Sequence, residues 1–122
     1  MAINSNQKGK RGEREVAGLL RQHGFTARRG QQFSGGSDSP DVVHNIEGVH
    51  LEVKRVNKLN LNNAMNQARS DAGSDHPVVV HKADNKPWLA TMDFDYFLSM
   101  QEIVANMLKY GNLAHTSDWE RG

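Results

Sequence analysis

Apolar residues recur along this chain with two different periods, and the changes of period divide it into elements. Between about Arg11 and His23, Val16, Ala17, Leu19 and Leu20 fall at i, i+1, i+3 and i+4, which predicts an amphipathic helix ended by Gly24. Asp41–Ile46 and Val49–Arg55 are instead rich in β-branched residues and flank Glu47-Gly48, a pattern that predicts a β-hairpin with a two-residue turn. A second helix is predicted from Asn62 to about Ala72, with Ala64, Met65 and Ala68 as its apolar contacts and Gly73 beyond its end. Val78–Val80 and Trp88–Met92 read as strands joined through Asn85-Lys86-Pro87. Asp93 is placed to cap a last helix to about Tyr110, whose apolar positions are Phe94, Phe97, Leu98, Ile103, Val104 and Leu108, with Gly111 after it. With one further strand ahead of the hairpin, the order is read as αβββαββα, an α/β fold with a mixed sheet flanked by helices.

The hairpin register has a chemical consequence. With Glu47-Gly48 as the turn, Ile46 pairs with Val49 and Asp41 stands opposite Lys54. Side chains alternate faces along a strand. One face then carries Val42, His44, Ile46, Val49, Leu51 and Val53, and reads as core. The other carries Asp41, Val43, Asn45, His50, Glu52 and Lys54. Two carboxylates and an amine on one face suit a divalent metal held against a phosphodiester. The same groups are also common on a solvated strand with a cross-strand ion pair. In the first helix, at about 100° per residue, Glu13 falls inside the arc of Leu20 and Ala17 and is aimed inward. An inward carboxylate without a partner is costly, and a nearby metal would account for it; so would a first-turn acid favoured by the helix dipole.

At this point the residues resemble a known family. Lys8-Gly9, Glu13-Arg14, Gly24-Phe25, Arg28-Arg29, Ser34-Gly35-Gly36, Pro40-Asp41 and Glu52-Val53-Lys54, in that order, resemble the archaeal-type Holliday junction resolvases. These belong to the PD-(D/E)xK nuclease superfamily, with a restriction-endonuclease-like fold. The likeness covers roughly residues 8 to 56 and fades after them. It implies a metal-dependent endodeoxyribonuclease acting on branched DNA, in which Asp41, Glu52 and the Val53 carbonyl ligate Mg²⁺ or Mn²⁺. It further implies that Lys54 positions the attacking water and stabilises charge, that Glu13 takes part in the metal site, and that Ser34 approaches the scissile phosphate. These roles agree with the chemistry of a hard cation, which takes oxygen ligands and keeps several waters. Many superfamily members place a glutamine near the site on the helix after the ExK strand, and Gln67 occupies that helix here. The tyrosine that often follows it is replaced by Asp71.

Charge is distributed to suit DNA. The chain as a whole is only +1, but residues 1–35 carry +5 and residues 71–122 carry −4. Lys8, Lys10, Arg11, Arg14, Arg28, Arg29, Arg55 and Lys58 are the candidate phosphate contacts. A basic arm over about residues 1–9 and a polar tail over about 112–122 are expected to be disordered, flanking a single nuclease domain over 1–122. The polar, Gly-rich segment from Gly30 to Ser39 is expected to be mobile and to offer amides and hydroxyls to phosphates.

Composition excludes some chemistries. There are no cysteines, hence no disulfide framework and no thiolate zinc site. The six histidines lack ligand spacing, although His50 shares the candidate site face with Glu52. No apolar run reaches the roughly 18 residues of a membrane span, and no signal-peptide pattern opens the chain, so a cytoplasmic protein is expected. Junction resolution needs two sites cutting symmetric strands, which a homodimer supplies. The compact size suits a bacteriophage or mobile-element gene. The alternatives are a nuclease of the same fold acting on flaps, nicks or duplex, and a DNA-binding module without catalysis.

Overall fold

The computed structural model describes residues 5–30 and 41–111. Residues 1–4, residues 31–40 with Ser34, and residues 112–122 lie outside them. The chain divides into two compact units, Met1–Met92 and Asp93–Gly122. In the first, α1 (Ser5–Gln22) leads to β1 (Ala27–Arg29), β2 (Val42–His44) and β3 (Val49–Arg55), then α2 (Leu61–Ala72), β4 (His76–Lys82) and β5 (Leu89–Met92). The second contains α3 (Phe94–Tyr110). The element order is the expected αβββαββα, and the architecture is mixed α/β.

Helix α1 corrects the expected N-terminal arm. It begins at Ser5 rather than Arg11, so residues 5–9 are helical. An apolar stripe cannot reveal this first turn and a half, because it carries no apolar residue. Lys8 instead ties it to Asp84 through a 3.2 Å ion pair. Gly12 lets the helix approach β3 closely: a Cβ there would stand 3.0 Å from Arg55 Cβ and 3.3 Å from the Trp88 ring.

The hairpin of β2 with β3 does not form. β2 pairs antiparallel with β1, Arg28 opposite Val43, while β3 pairs parallel with β4, and β4 antiparallel with β5. The two ladders are separate sheets of two and three strands. Polar side chains at the end of β2 explain the difference. Asn45 accepts a hydrogen bond from the Thr26 N–H at 3.0 Å, and its own N–H donates to the Thr26 carbonyl, which ties the strand end to β1. His44 Nδ1 accepts the Ile46 N–H at 3.0 Å. Such local bonds compete with a ladder for the same backbone groups. The Glu47-Gly48 turn itself is present, with Gly48 at φ 75°, where glycine is favoured.

β3, α2 and β4 make a parallel crossover, for which the helix supplies the needed length. Asn60 caps α2, its side chain accepting the Asn63 N–H at 3.1 Å. The two faces of the sheet have separate cores. Val16 and Ala17 of α1 pack with Val42 and Val53, joined by Leu20, Val80 and Trp88. On the other face Ala64, Met65 and Ala68 of α2 pack with Val79. Full burial of each valine contributes about 1.5–3 kcal/mol relative to leaving it exposed. In α3, Asp93 stands at the N-cap as expected but makes no side-chain cap bond, and none of the helix's residues is buried.

Candidate active site

The site grows from the alternation of β3. Glu52 is in register with Val79, and neighbours in a ladder share a face, so Glu52 lies on the side covered by α2. His50 and Lys54, two residues before and after, share that face. The alanines of α2 allow the helix to sit close, and Glu52 is only 3% exposed. Its Oε1 lies 3.3 Å from His50 Nε2, and its Oε2 lies 3.7 Å from Lys54 Nζ.

Asp41 stands at the open edge of β3. Its Oδ2 accepts the Val53 N–H at 2.9 Å, a bond that a ladder partner would otherwise make. The N–H and C=O of a strand residue point the same way, so the Val53 carbonyl faces this edge too. Asp41 thus reaches Val53 through its side chain rather than standing opposite Lys54 in a ladder. The expected neighbourhood survives the lost hairpin. Glu13 projects from α1 and accepts from Arg29 Nε at 2.9 Å.

Negative charge accumulates here. Burial pushes the Glu52 carboxyl above its ordinary range, and the charges of Asp41 and Asp71 push it further, against His50 and Lys54. Glu13 is likewise raised, first by burial and then by Asp41, with Arg29 and Arg14 opposing. A divalent cation fits such a donor set, because it relieves the repulsion among hard carboxylate oxygens. Among the described residues, His50, Glu52 and Asp71 bring their ligand atoms within 4.8 Å of one another, and Glu13 and Asp41 stand outside that group.

The other candidates fall into two classes. Lys10, Arg14, Arg28 and Lys58 are exposed, as is Arg11, whose Nε lies 3.4 Å from Glu15 Oε1, while Gln67 is exposed on α2 and enters none of the site contacts described above. Arg29 is held by Glu13, and Lys8 by Asp84. Arg55 has a side chain only 10% exposed, set between Glu15 at 3.8 Å and Asp84 at 3.9 Å, which makes it part of the fold. Asp71 was not among the expected residues, yet its carboxylate joins His50 and Glu52 in that group. The spacing carried a signal: Asp71 lies at i+7 from Ala64 and i+3 from Ala68, so it borders the buried stripe of α2 although it is itself exposed.

A family model of the archaeal Holliday junction resolvases (Hjc) matches residues 4–73, more than half of the chain. The chain belongs to the archaeal Holliday junction resolvase family. Its matched segment contains Glu13, Asp41, Glu52, Lys54 and Asp71. The expectation of a junction-resolving nuclease is met by this membership, as is the α/β architecture. Among solved structures, Hjc of Archaeoglobus fulgidus, a Holliday junction resolvase from an archaeal hyperthermophile, is similar at 22% identity and a TM-score of 0.48, over 67% of this chain and 74% of that one. No curated protein sequence matches the chain. Among the described residues, no helix is long and apolar enough to cross a membrane.

Proposed function

We infer that this resolvase hydrolyses phosphodiesters of four-way DNA junctions at the open edge of β3, with Mg²⁺ or Mn²⁺ held by Asp41, Glu52 and the Val53 carbonyl. The observation that carries this reading is Asp41 on the Val53 N–H, which sets its carboxylate beside the buried Glu52. A bound divalent cation supplies Lewis-acid polarisation of the phosphate and lowers the pKa of water. Lys54, 3.7 Å from Glu52, orients the attacking water and stabilises charge developing on the phosphoryl oxygens. Glu13 adds negative charge on the α1 side, and Arg29 holds its orientation. Ser34 is assigned to the approach of the scissile phosphate.

Lys10, Arg11, Arg14, Arg28 and Lys58 are the cations available to the DNA backbone. Resolution requires paired cuts, so the working unit is a C2 dimer. Exposed Phe94, Ile103, Met107 and Tyr110 on α3 offer apolar surface of the kind that subunit contacts cover. The test is cleavage of a labelled four-way junction, a matched duplex and a flap, with Mg²⁺ or with EDTA. Paired symmetric nicks confined to the junction and lost with EDTA are expected. Metal-dependent cutting of duplex or flap would remove the substrate assignment, and binding without cutting would remove the catalytic one.

A further inference from the structure

We propose that His50, Glu52 and Asp71 form a second cation site, on the α2 side of Glu52, suited to a divalent transition metal rather than Mg²⁺. It rests on the preceding reading only in sharing Glu52. Three facts carry it. The ligand atoms of the three side chains lie within 4.8 Å of one another, although they come from β3 and from the end of α2. Donors around one ion at about 2.0–2.2 Å stand roughly 3–4 Å apart, so a small contraction closes this group on a metal. His50 is inserted rather than solvated: its side chain is 12% exposed and its Nε2 faces Glu52 Oε1 at 3.3 Å.

The second fact is the division of Glu52 itself. Oε1 is turned to His50 and Oε2 to Lys54, while Asp41 is tied to the Val53 N–H outside the trio. One carboxylate thus serves two places. The third is charge. Asp71 sets a second carboxylate beside Glu52 on this side, and the His50 ring brings a nitrogen donor to the pair. Imidazole with carboxylates suits first-row transition ions, whereas Mg²⁺ prefers oxygen and water. The competing account is that His50 only orients Glu52 by a hydrogen bond and Asp71 is a solvated acid at a helix end.

The experiment uses the full, metal-stripped chain without DNA. Mn²⁺ binding is followed by the loss of free-ion EPR signal, and its ligands by ¹⁴N modulation of the bound-ion spin echo. The wild-type chain is expected to show nitrogen coordination. His50→Ala should abolish the modulation and weaken Mn²⁺ by about tenfold or more, and Asp71→Asn should weaken it comparably. Asp41→Asn should leave the modulation intact. Mg²⁺ affinity, read by calorimetry, should change little in His50→Ala. His50→Gln keeps a polar side chain and reads the same coordination should the alanine chain fail to fold. Absence of ¹⁴N modulation in the wild type, or its persistence in both His50 variants, would overturn the proposal. Because no DNA enters, nitrogen-ligated Mn²⁺ in a chain that cuts no junction would sink the functional reading and leave this site standing.

Discussion

On the α1 side of β3, Arg55 follows the buried Leu51 and Val53 and meets Glu15 and Asp84, at 3.8 and 3.9 Å. On the α2 side, Glu52 is buried just as deeply but faces Asp41 and Asp71 as well as Lys54 and His50. Both faces bury charge, at a cost in solvation. The first gathers opposite charges around Arg55, although its Nε makes no hydrogen bond. The second gathers like charges, and the surplus is negative. A residue buried among its own sign calls for a further cation. That separates an ion pair serving the fold from a group with charge left over for a cation, although both lie on a single strand.

The comparison breaks most visibly in catalysis. Asp41→Asn should lower metal-dependent junction cleavage by roughly a thousandfold, the equivalent of several kcal/mol of lost transition-state stabilisation. Junction affinity, measured by gel shift, should be kept or tightened, since a charge that repels phosphate is gone. Arg55→Ala should act in the opposite sense. Loss of its buried stem should cost about 1–3 kcal/mol in denaturant melts, with cleavage by the folded fraction retained. A chain that melted normally but cut poorly would move Arg55 into the site.

The surface offers a weaker contrast. Arg28 is exposed on β1, whereas its neighbour Arg29 is engaged with Glu13. Arg28→Ala should weaken DNA binding and reduce the slope of log K against log salt by about 1. Arg29→Ala should chiefly affect cleavage through Glu13. Equal salt slopes in the two variants would erase that distinction.

The smallest effect is a pH dependence. Glu52 is raised above the ordinary glutamate value of 4.5. Its ionisation is therefore harder in the folded than in the unfolded chain, and the resulting loss of stability is absent below 4.5 and grows as pH rises through the raised value. Without metal, Glu52→Gln should therefore melt higher than the wild type near neutral pH, and the gap should close on acidification. A gap of the opposite sign would mean that Lys54 and His50 outweigh burial.

The sequence carried the elements better than their pairing. Apolar periods and glycine stops located the helices of the described residues, and α2, β5 and α3 end where Gly73, Met92 and Gly111 suggested. The hairpin was misread because β-branched runs either side of Glu-Gly state a preference for strand, not for a partner. Asn45 and His44 then settled β2 against β1 through side-chain bonds that no periodicity encodes. The nearness of Asp41 to the Glu52-Val53-Lys54 stretch was legible because a D…ExK spacing survives that change: Asp41 reaches Val53 by its side chain instead of through a ladder. The nearness of Asp71 to Glu52 was not, because it depends on α2 crossing the face that carries Glu52. Arg55 looked like a DNA contact because a basic residue at a strand end reads as solvated until its acidic partners, Glu15 and Asp84, are brought to it by the fold.

The most direct measurement is single-turnover cleavage of a four-way junction by Glu52→Gln, with Mg²⁺ and with binding measured in parallel. Full binding with cleavage lost, beside an Arg55→Ala chain that still cuts when folded, is the predicted result. Wild-type cleavage by Glu52→Gln would contradict the assignment of the β3 edge as the reacting centre.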